Sequence, residues 1–459
     1  MLKDFPPDFR YVLGLQEASV VGMADGFAQA SRVPAVAVLH TAAGTGNGMG
    51  NIMTAFLNKT PLIIIAGQQT RQMLLGDPYL TNREATKLPE PWVKWAYQPV
   101  RAEDVPSALI RAIAMASMPP AGPVFLSIPL DDWVAEIDAV PAVRAVSTRV
   151  APDPDQLMSY AAQILSAKNM ALVLGEEVDK SLAWEAAVEL AEFLNVPVFQ
   201  APLAERAVFP EVHPLFQGSL PIARGALSTA LAGYDLALVV GAEVWRYYPW
   251  DAGSVSPPGL KVLQVTNDPH DAGSALVGDS MLSDARLALE GLNQLLRRSA
   301  SSVSPSRKPS GSQAASAPPQ AASTPARSTL KNSTDLMTAS EAFVAVALLR
   351  MEGDILVQES ASNTLELLEA WPIIQQETYF TSASGGLGWG APAAVGIALA
   401  QQNRTIILAI GDGSLHYSVQ SIYTAVQQKL KIIILVPRNE EYAILKEFAV
   451  FEDTPNCRK

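Results

Sequence analysis

Unbroken apolar runs, each about long enough for one strand, recur along this chain without alternating apolar and polar residues. The first are AVAVLH (35–40), PLIIIAG (61–67) and PVFLSIP (123–129), separated by helical stretches such as QEASVVGMADGFAQAS. Such a strand is suited to burial on both faces, which means a parallel sheet with helices on each side. MALVLGE (170–176), VPVFQAP (196–202), DLALVVGA (235–242) and KVLQVTND (261–268) repeat the theme, and DILVQES, TIILAI and KIIILVP repeat it again after residue 335. From about 298 to 334 the chain is rich in Ser, Pro and Ala with little to bury, as an exposed linker is. The expected fold is α/β, three consecutive doubly wound parallel-sheet domains at 1–150, 151–297 and 335–459.

Composition removes several classes of function. Lys+Arg 33 against Asp+Glu 45 gives −12, spread along the chain, which argues against nucleic acid or an anionic membrane as partner. The single cysteine, Cys457, allows no intramolecular disulfide and no thiolate metal cluster. No apolar run approaches the roughly 18–20 residues of a membrane helix, and MLKDFPPDFRYVLG lacks a signal pattern, so a cytoplasmic protein is expected.

The chemistry is concentrated at strand ends. TIILAI runs into Gly411-Asp412-Gly413-Ser414, a glycine turn that carries a carboxylate. The next strand, KIIILVP, ends at Asn439, 27 residues after Asp412. In a βαβ unit both positions fall at the ligand-binding edge of the sheet. A carboxylate, an amide oxygen and a nearby main-chain carbonyl make a half-shell for Mg²⁺, which can sit between an acid and a diphosphate. Gly411 and Gly413 admit close approach of the backbone, and the Ser414 hydroxyl and helix N-terminus can bind phosphate oxygens. Taken alone, GDGS also fits an ordinary Asp-Gly turn. Glu17 opens a helix with no Lys or Arg within four positions, and a partly desolvated, unpaired carboxyl exchanges protons more readily near neutral pH. It also fits a glutamate favoured by the helix dipole.

GDGS followed by Asn439 resembles the thiamine diphosphate (ThDP) motif of 2-oxoacid decarboxylases and acetolactate synthases, although Arg438-Asn439 stands where the family has paired Asn. The resemblance implies metal ligation by Asp412, Asn439 and the main-chain carbonyl of Glu441. It also gives Glu17 the aminopyrimidine contact that activates the cofactor. VLHTAAGTGNGMGN (39–51) is similar to the active-site loop of benzoylformate decarboxylases; it implies proton transfer by His40 and a cofactor contact at Asn47. In SASGGLGWGAPAAVGIALA (382–400), Gly385 would offer its carbonyl to the cofactor and Leu387 would prop it in a bent form. Leu445 and Phe448 match substrate-pocket positions, and Tyr248 stands where that family places a second histidine; His213, His270 and His416 do not match it. Relative to the family the chain looks truncated at both ends.

The implied activity is ThDP- and Mg²⁺-dependent decarboxylation of an aromatic 2-oxo acid such as benzoylformate, by a homo-oligomer, with a dimer of dimers expected. Glu17 and Asp412 of one site would then come from different subunits. Acetolactate synthase-like carboligation, motivated by Tyr248, and a non-catalytic relative are the alternatives.

Overall fold

The computed structural model describes Pro6, residues 9–302 and residues 337–451. Cys457 and most of the Ser/Pro/Ala-rich stretch lie outside the described residues.

Helix α1 (Glu17–Ser31) begins where the Gln16 side chain accepts the Ser19 N–H at 2.9 Å. It ends where Arg32 turns left-handed at φ 63°. Then come β1 (Ala35–Leu39), α2 (Thr41–Leu57), β2 (Leu62–Gln68), β3 (Ala96–Tyr97), α3 (Val105–Ser117) and β4 (Pro123–Pro129). The strands pair in parallel in the order β1-β2-β4-β3. Val21 and Ala28 of α1 and Ile52 and Ala55 of α2 pack on Leu62 and Ile64, while Ala108, Ala112 and Ala116 of α3 pack with Ile63 and Leu126. β2 and β4 are thus enclosed on both faces. β1 departs from the expectation of two-sided burial, because Val36 and Val38 are 52 % and 53 % exposed. It is the edge strand, and α3 covers β2 and β4 rather than β1.

The middle segment runs α4 (Pro154–Ser166), β5 (Met170–Leu174), α5 (Glu176–Lys180), α6 (Trp184–Leu194), β6 (Val198–Gln200), β7 (Phe216–Ser219), α7 (Arg224–Ala230), β8 (Leu236–Val240), β9 (Lys261–Thr266), α8 (Pro269–Ser274), β10 (Asp279–Leu282) and α9 (Ala285–Ser302). Its strands form one parallel sheet, β10-β9-β8-β5-β6-β7. The Asp153 carboxylate caps α4 by accepting the Asp155 and Gln156 N–H groups, and Pro154 supplies the first helical residue. Helix α9 continues into the expected linker as far as Ser302.

The remainder contains α10 (Ala339–Ala347), β11 (Ile355–Glu359), α11 (Thr364–Ala370), β12 (Tyr379–Phe380), α12 (Gly390–Ala400), β13 (Ile406–Ile410), α13 (Asp412–Tyr417), α14 (Ser421–Gln427), β14 (Ile432–Leu435) and α15 (Ala443–Phe451). β13 lies between β11 and β14, parallel to both. Helix α12 is apolar all round and buried from Gly390 to Leu399, as such a helix must be. Its small residues let it approach α1 closely, at Gly22, Gly26 and Gly396.

By contact the chain divides into two compact units, 1–148 with 351–364 and 381–459, and 149–350 with 365–380. In the second unit Glu211 and Ile373 exchange hydrogen bonds, the carboxylate accepting the Ile373 N–H at 2.7 Å. Burial pushes the Glu211 carboxyl up to about 7, against opposing contributions from that hydrogen bond and from Arg350. The folded state therefore keeps a proton that the unfolded chain loses near 4.5. The stabilisation is full below about 4.5 and is lost as pH rises through about 7. Glu211→Gln should accordingly gain on the unaltered chain between pH 5 and 8, by on the order of 1–3 kcal/mol. Urea denaturation at both pH values checks this; a constant difference between the two proteins would contradict it.

Candidate active site

The N-terminal ends of α1 and α2 bring three of the expected residues together. Glu17 is the first residue of α1 and half-buried, and its Oε2 accepts a hydrogen bond from Asn47 Nδ2 at 3.2 Å. The carboxylate is therefore not unpaired, as the sequence suggested. His40 is the N-cap of α2 and is exposed; its carbonyl accepts the Gly44 N–H at 2.6 Å. Gly44 sits between the two acid–base candidates, since a Cβ there would lie 3.1 Å from Glu17 Oε1 and 3.3 Å from His40 Cβ. Thr41, beside His40, is held at φ 43°, a costly conformation for a β-branched residue.

A second group forms at the C-terminal ends of β11, β13 and β14. Asp412 Oδ1 accepts the Gly413 N–H and Oδ2 accepts the Glu440 N–H, both at 3.0 Å. The turn after β13 is thereby joined to the turn after β14. Asn439 Oδ1 accepts the Glu441 N–H at 3.2 Å, Glu440 is left-handed at φ 57°, and the Glu441 carboxylate pairs with Lys446. That pairing leaves the Glu441 main-chain carbonyl as its candidate ligand atom. A carboxylate, an amide oxygen and a carbonyl suit a hard cation with an incomplete protein shell. Among the described residues no three His, Cys, Asp or Glu side chains cluster as a metal site, and this set draws on only one such side chain.

The loop before α12 supplies a third group. Gly385 is left-handed at φ 67°, with no atom within 4 Å of where a Cβ would lie, so a flat ring has room against its backbone. Leu387 is half-buried. Gly411 and Gly413 are half-buried, and Ser414 is buried with its hydroxyl hydrogen-bonded to Glu359. Glycines where a ring or phosphate must approach, paired with a cation half-shell, fit ThDP and a divalent ion. Leu445 is exposed, and the Phe448 side chain lies outside the described residues. Tyr248 belongs to the other compact unit, where its N–H donates to Ile222 O and its side chain is half exposed.

Sequence reasoning missed the buried polar residues beneath these loops. Asp25 is fully buried and accepts hydrogen bonds from Gln29 (3.0 Å), Asn58 (2.7 Å) and Trp389 Nε1 (2.6 Å). Burial pushes its carboxyl above the ordinary range, with those donors opposing. Asn58 also accepts the Ala383 N–H, Asn51 Nδ2 donates to Ala18 O, and Thr54 bonds Ser384. A lone charged residue in the otherwise uncharged MADGFAQA was the available signal for Asp25.

Three matches in chain order define the class. The N-terminal TPP binding domain of the thiamine pyrophosphate enzymes matches residues 2–87, their central domain 157–292, and their C-terminal TPP binding domain 361–454. A benzoylformate decarboxylase of Pseudomonas aeruginosa is 42 % identical over 99 % of this chain and 84 % of its own length. The structure of benzoylformate decarboxylase from Polynucleobacter necessarius superposes with a TM-score of 0.91 at 47 % identity, covering 99 % of this chain and 83 % of that one. The 4-hydroxybenzoylformate decarboxylase of Rhodococcus jostii RHA1 gives 0.87 at 35 % identity over 98 % and 83 %. The chain belongs to the benzoylformate decarboxylase family of ThDP-dependent enzymes.

Proposed function

We propose that this protein decarboxylates an aromatic 2-oxo acid, with benzoylformate as reference substrate, using ThDP and Mg²⁺. The observation that carries the reading is the Asn47-held carboxylate of Glu17 beside the His40 turn. ThDP, when bound, supplies an electron sink for the pair left behind as CO₂ departs. Glu17 is the group that holds and returns the proton needed to activate the cofactor, and Asn47 fixes its orientation. His40, exposed at a helix N-cap, exchanges protons with the substrate. Asp412, Asn439 and the Glu441 carbonyl hold Mg²⁺; Gly411, Gly413 and Ser414 form the phosphate turn by close approach of the backbone, the Ser414 hydroxyl being engaged by Glu359 and not, as the sequence suggested, by phosphate. Gly385 and Leu387 meet the ring portion, and Leu445 borders the substrate. Glu17 and Asp412 of one site belong to different subunits, so the working form is a homo-oligomer, a cytoplasmic dimer of dimers.

Titrating the chain with ThDP plus Mg²⁺ by calorimetry tests the site directly. Asp412→Ala should weaken saturable binding by roughly 10–100-fold or abolish it, and binding equal to that of the unaltered chain would remove Asp412 from the metal site. Tyr248 favours a second reading, carboligation, because a phenol whose ordinary pKa is about 10 shuttles protons poorly at neutral pH. A substrate panel decides between them: benzoylformate preferred over pyruvate supports the first, and the reverse supports the second.

A further inference from the structure

Glu359 ends β11 between the two glycine-bearing loops, in a setting that its strand position alone does not explain. It is 8 % exposed, and its carboxylate is compensated by main-chain donors. Oε1 accepts the Gly388 N–H at 2.6 Å, Oε2 accepts the Gly390 N–H, and the Trp389 N–H bonds the same group. Successive N–H groups at the entry to a helix form an anion-binding concavity, and here the chain fills it with its own side chain. The other side of the carboxylate takes the Ser414 hydroxyl, and the Glu359 main-chain carbonyl accepts the Gly411 N–H at 3.1 Å. One residue therefore grips the loop before α12 through its side chain and the GDGS turn through both side chain and backbone.

The fit leaves little play. A Cβ at Gly390 would lie 2.8 Å from Glu359 Cβ, and one at Gly388, left-handed at φ 97°, would lie 2.7 Å from Tyr417 Cβ. Burial pushes the Glu359 carboxyl up to about 7, consistent with a group enclosed by dipoles rather than paired with a cation.

We infer that Glu359 is a positioning residue that locks the Gly385–Gly390 loop to the Gly411–Ser414 turn and so sets the spacing of the cofactor cradle. The inference rests on the reading of those segments as ThDP-binding. A carboxylate that served packing alone would affect stability and leave cofactor affinity untouched.

The test is calorimetric titration with ThDP plus Mg²⁺ of the full chain and of Glu359→Gln, Ser414→Ala and the double variant, each melted without cofactor as a folding control. Glu359→Gln keeps the size but cannot accept all the N–H bonds, so Kd for ThDP should rise roughly tenfold. In steady-state assays KM for ThDP should move more than kcat at saturating ThDP. The double variant should be no worse than the poorer single, since both changes break one linkage. A melting shift with Kd unchanged in Glu359→Gln, or two effects that simply multiply, overturns the inference while the cofactor reading stands. Ser414→Ala keeps the carboxylate buried as it is, and an unchanged Kd there counts against the linkage even if Glu359→Gln does not fold. Absence of ThDP binding by the unaltered chain overturns the site reading, and the inference with it.

Discussion

Glu17→Gln should lower kcat by about 10²–10⁴-fold, the usual contribution of a positioned proton-transfer group. Binding of ThDP plus Mg²⁺ should stay within a few-fold of the unaltered chain. The side chain keeps its length and one oxygen to accept the Asn47 amide, so the N-terminal turn of α1 has no steric reason to move. What is lost is a group able to take up and return a proton. Gly44, where a Cβ would lie only 3.1 Å from Glu17 Oε1, puts no side chain of its own between Glu17 and His40. Calorimetric Kd and steady-state kcat on the same preparation separate the two effects. Turnover within about twofold of the unaltered chain would remove Glu17 from the chemistry, whereas loss of Kd and kcat together would make it a binding residue.

The parts legible in the sequence are those whose signals are local. LIIIAG and PVFLSIP announce strands enclosed on both faces because Ser127 is their only polar side chain, and β2 and β4 are buried accordingly. AVAVL carries the same signal but ends up at a sheet edge, half exposed, because strand order is a long-range property. Glu17, His40 and Asn47 were named through the family resemblance of their segments; that Asn47, inside α2, donates to Glu17 was not readable. The polar layer beneath was not readable. Asp25 meets Trp389 across 364 positions and Thr54 meets Ser384 across 330, and neither pairing leaves a local trace. Glu359, within the strand run DILVQES, left no sign of its role, because its partners are main-chain N–H groups that any sequence supplies.

Gly396→Val should leave little folded protein, and even Gly396→Ala should cost more than about 3 kcal/mol. A Cβ at Gly396 would overlap Met23 O and lie 2.6 Å from Phe27 N; one at Gly26 would overlap Ala393 O and lie 2.7 Å from Ala393 Cα. The obstructing atoms are backbone, so no rotamer change relieves the clash and α12 must move away from α1. That movement pulls Trp389 Nε1 from the buried Asp25 carboxylate and the Gly388 carbonyl from Asn51, leaving polar groups unsatisfied in the core. Gly50, in α2 with open space around it and an ordinary φ, is the control: Gly50→Ala should stabilise by roughly 0.5–1 kcal/mol. Thermal denaturation of the three variants checks this. A Gly396→Ala midpoint within about 2 °C of the unaltered chain would mean that the helices have room to part. The expected outcome, collapse at Gly396 with a gain at Gly50, ties this glycine to the helix crossing that supports both candidate cofactor loops.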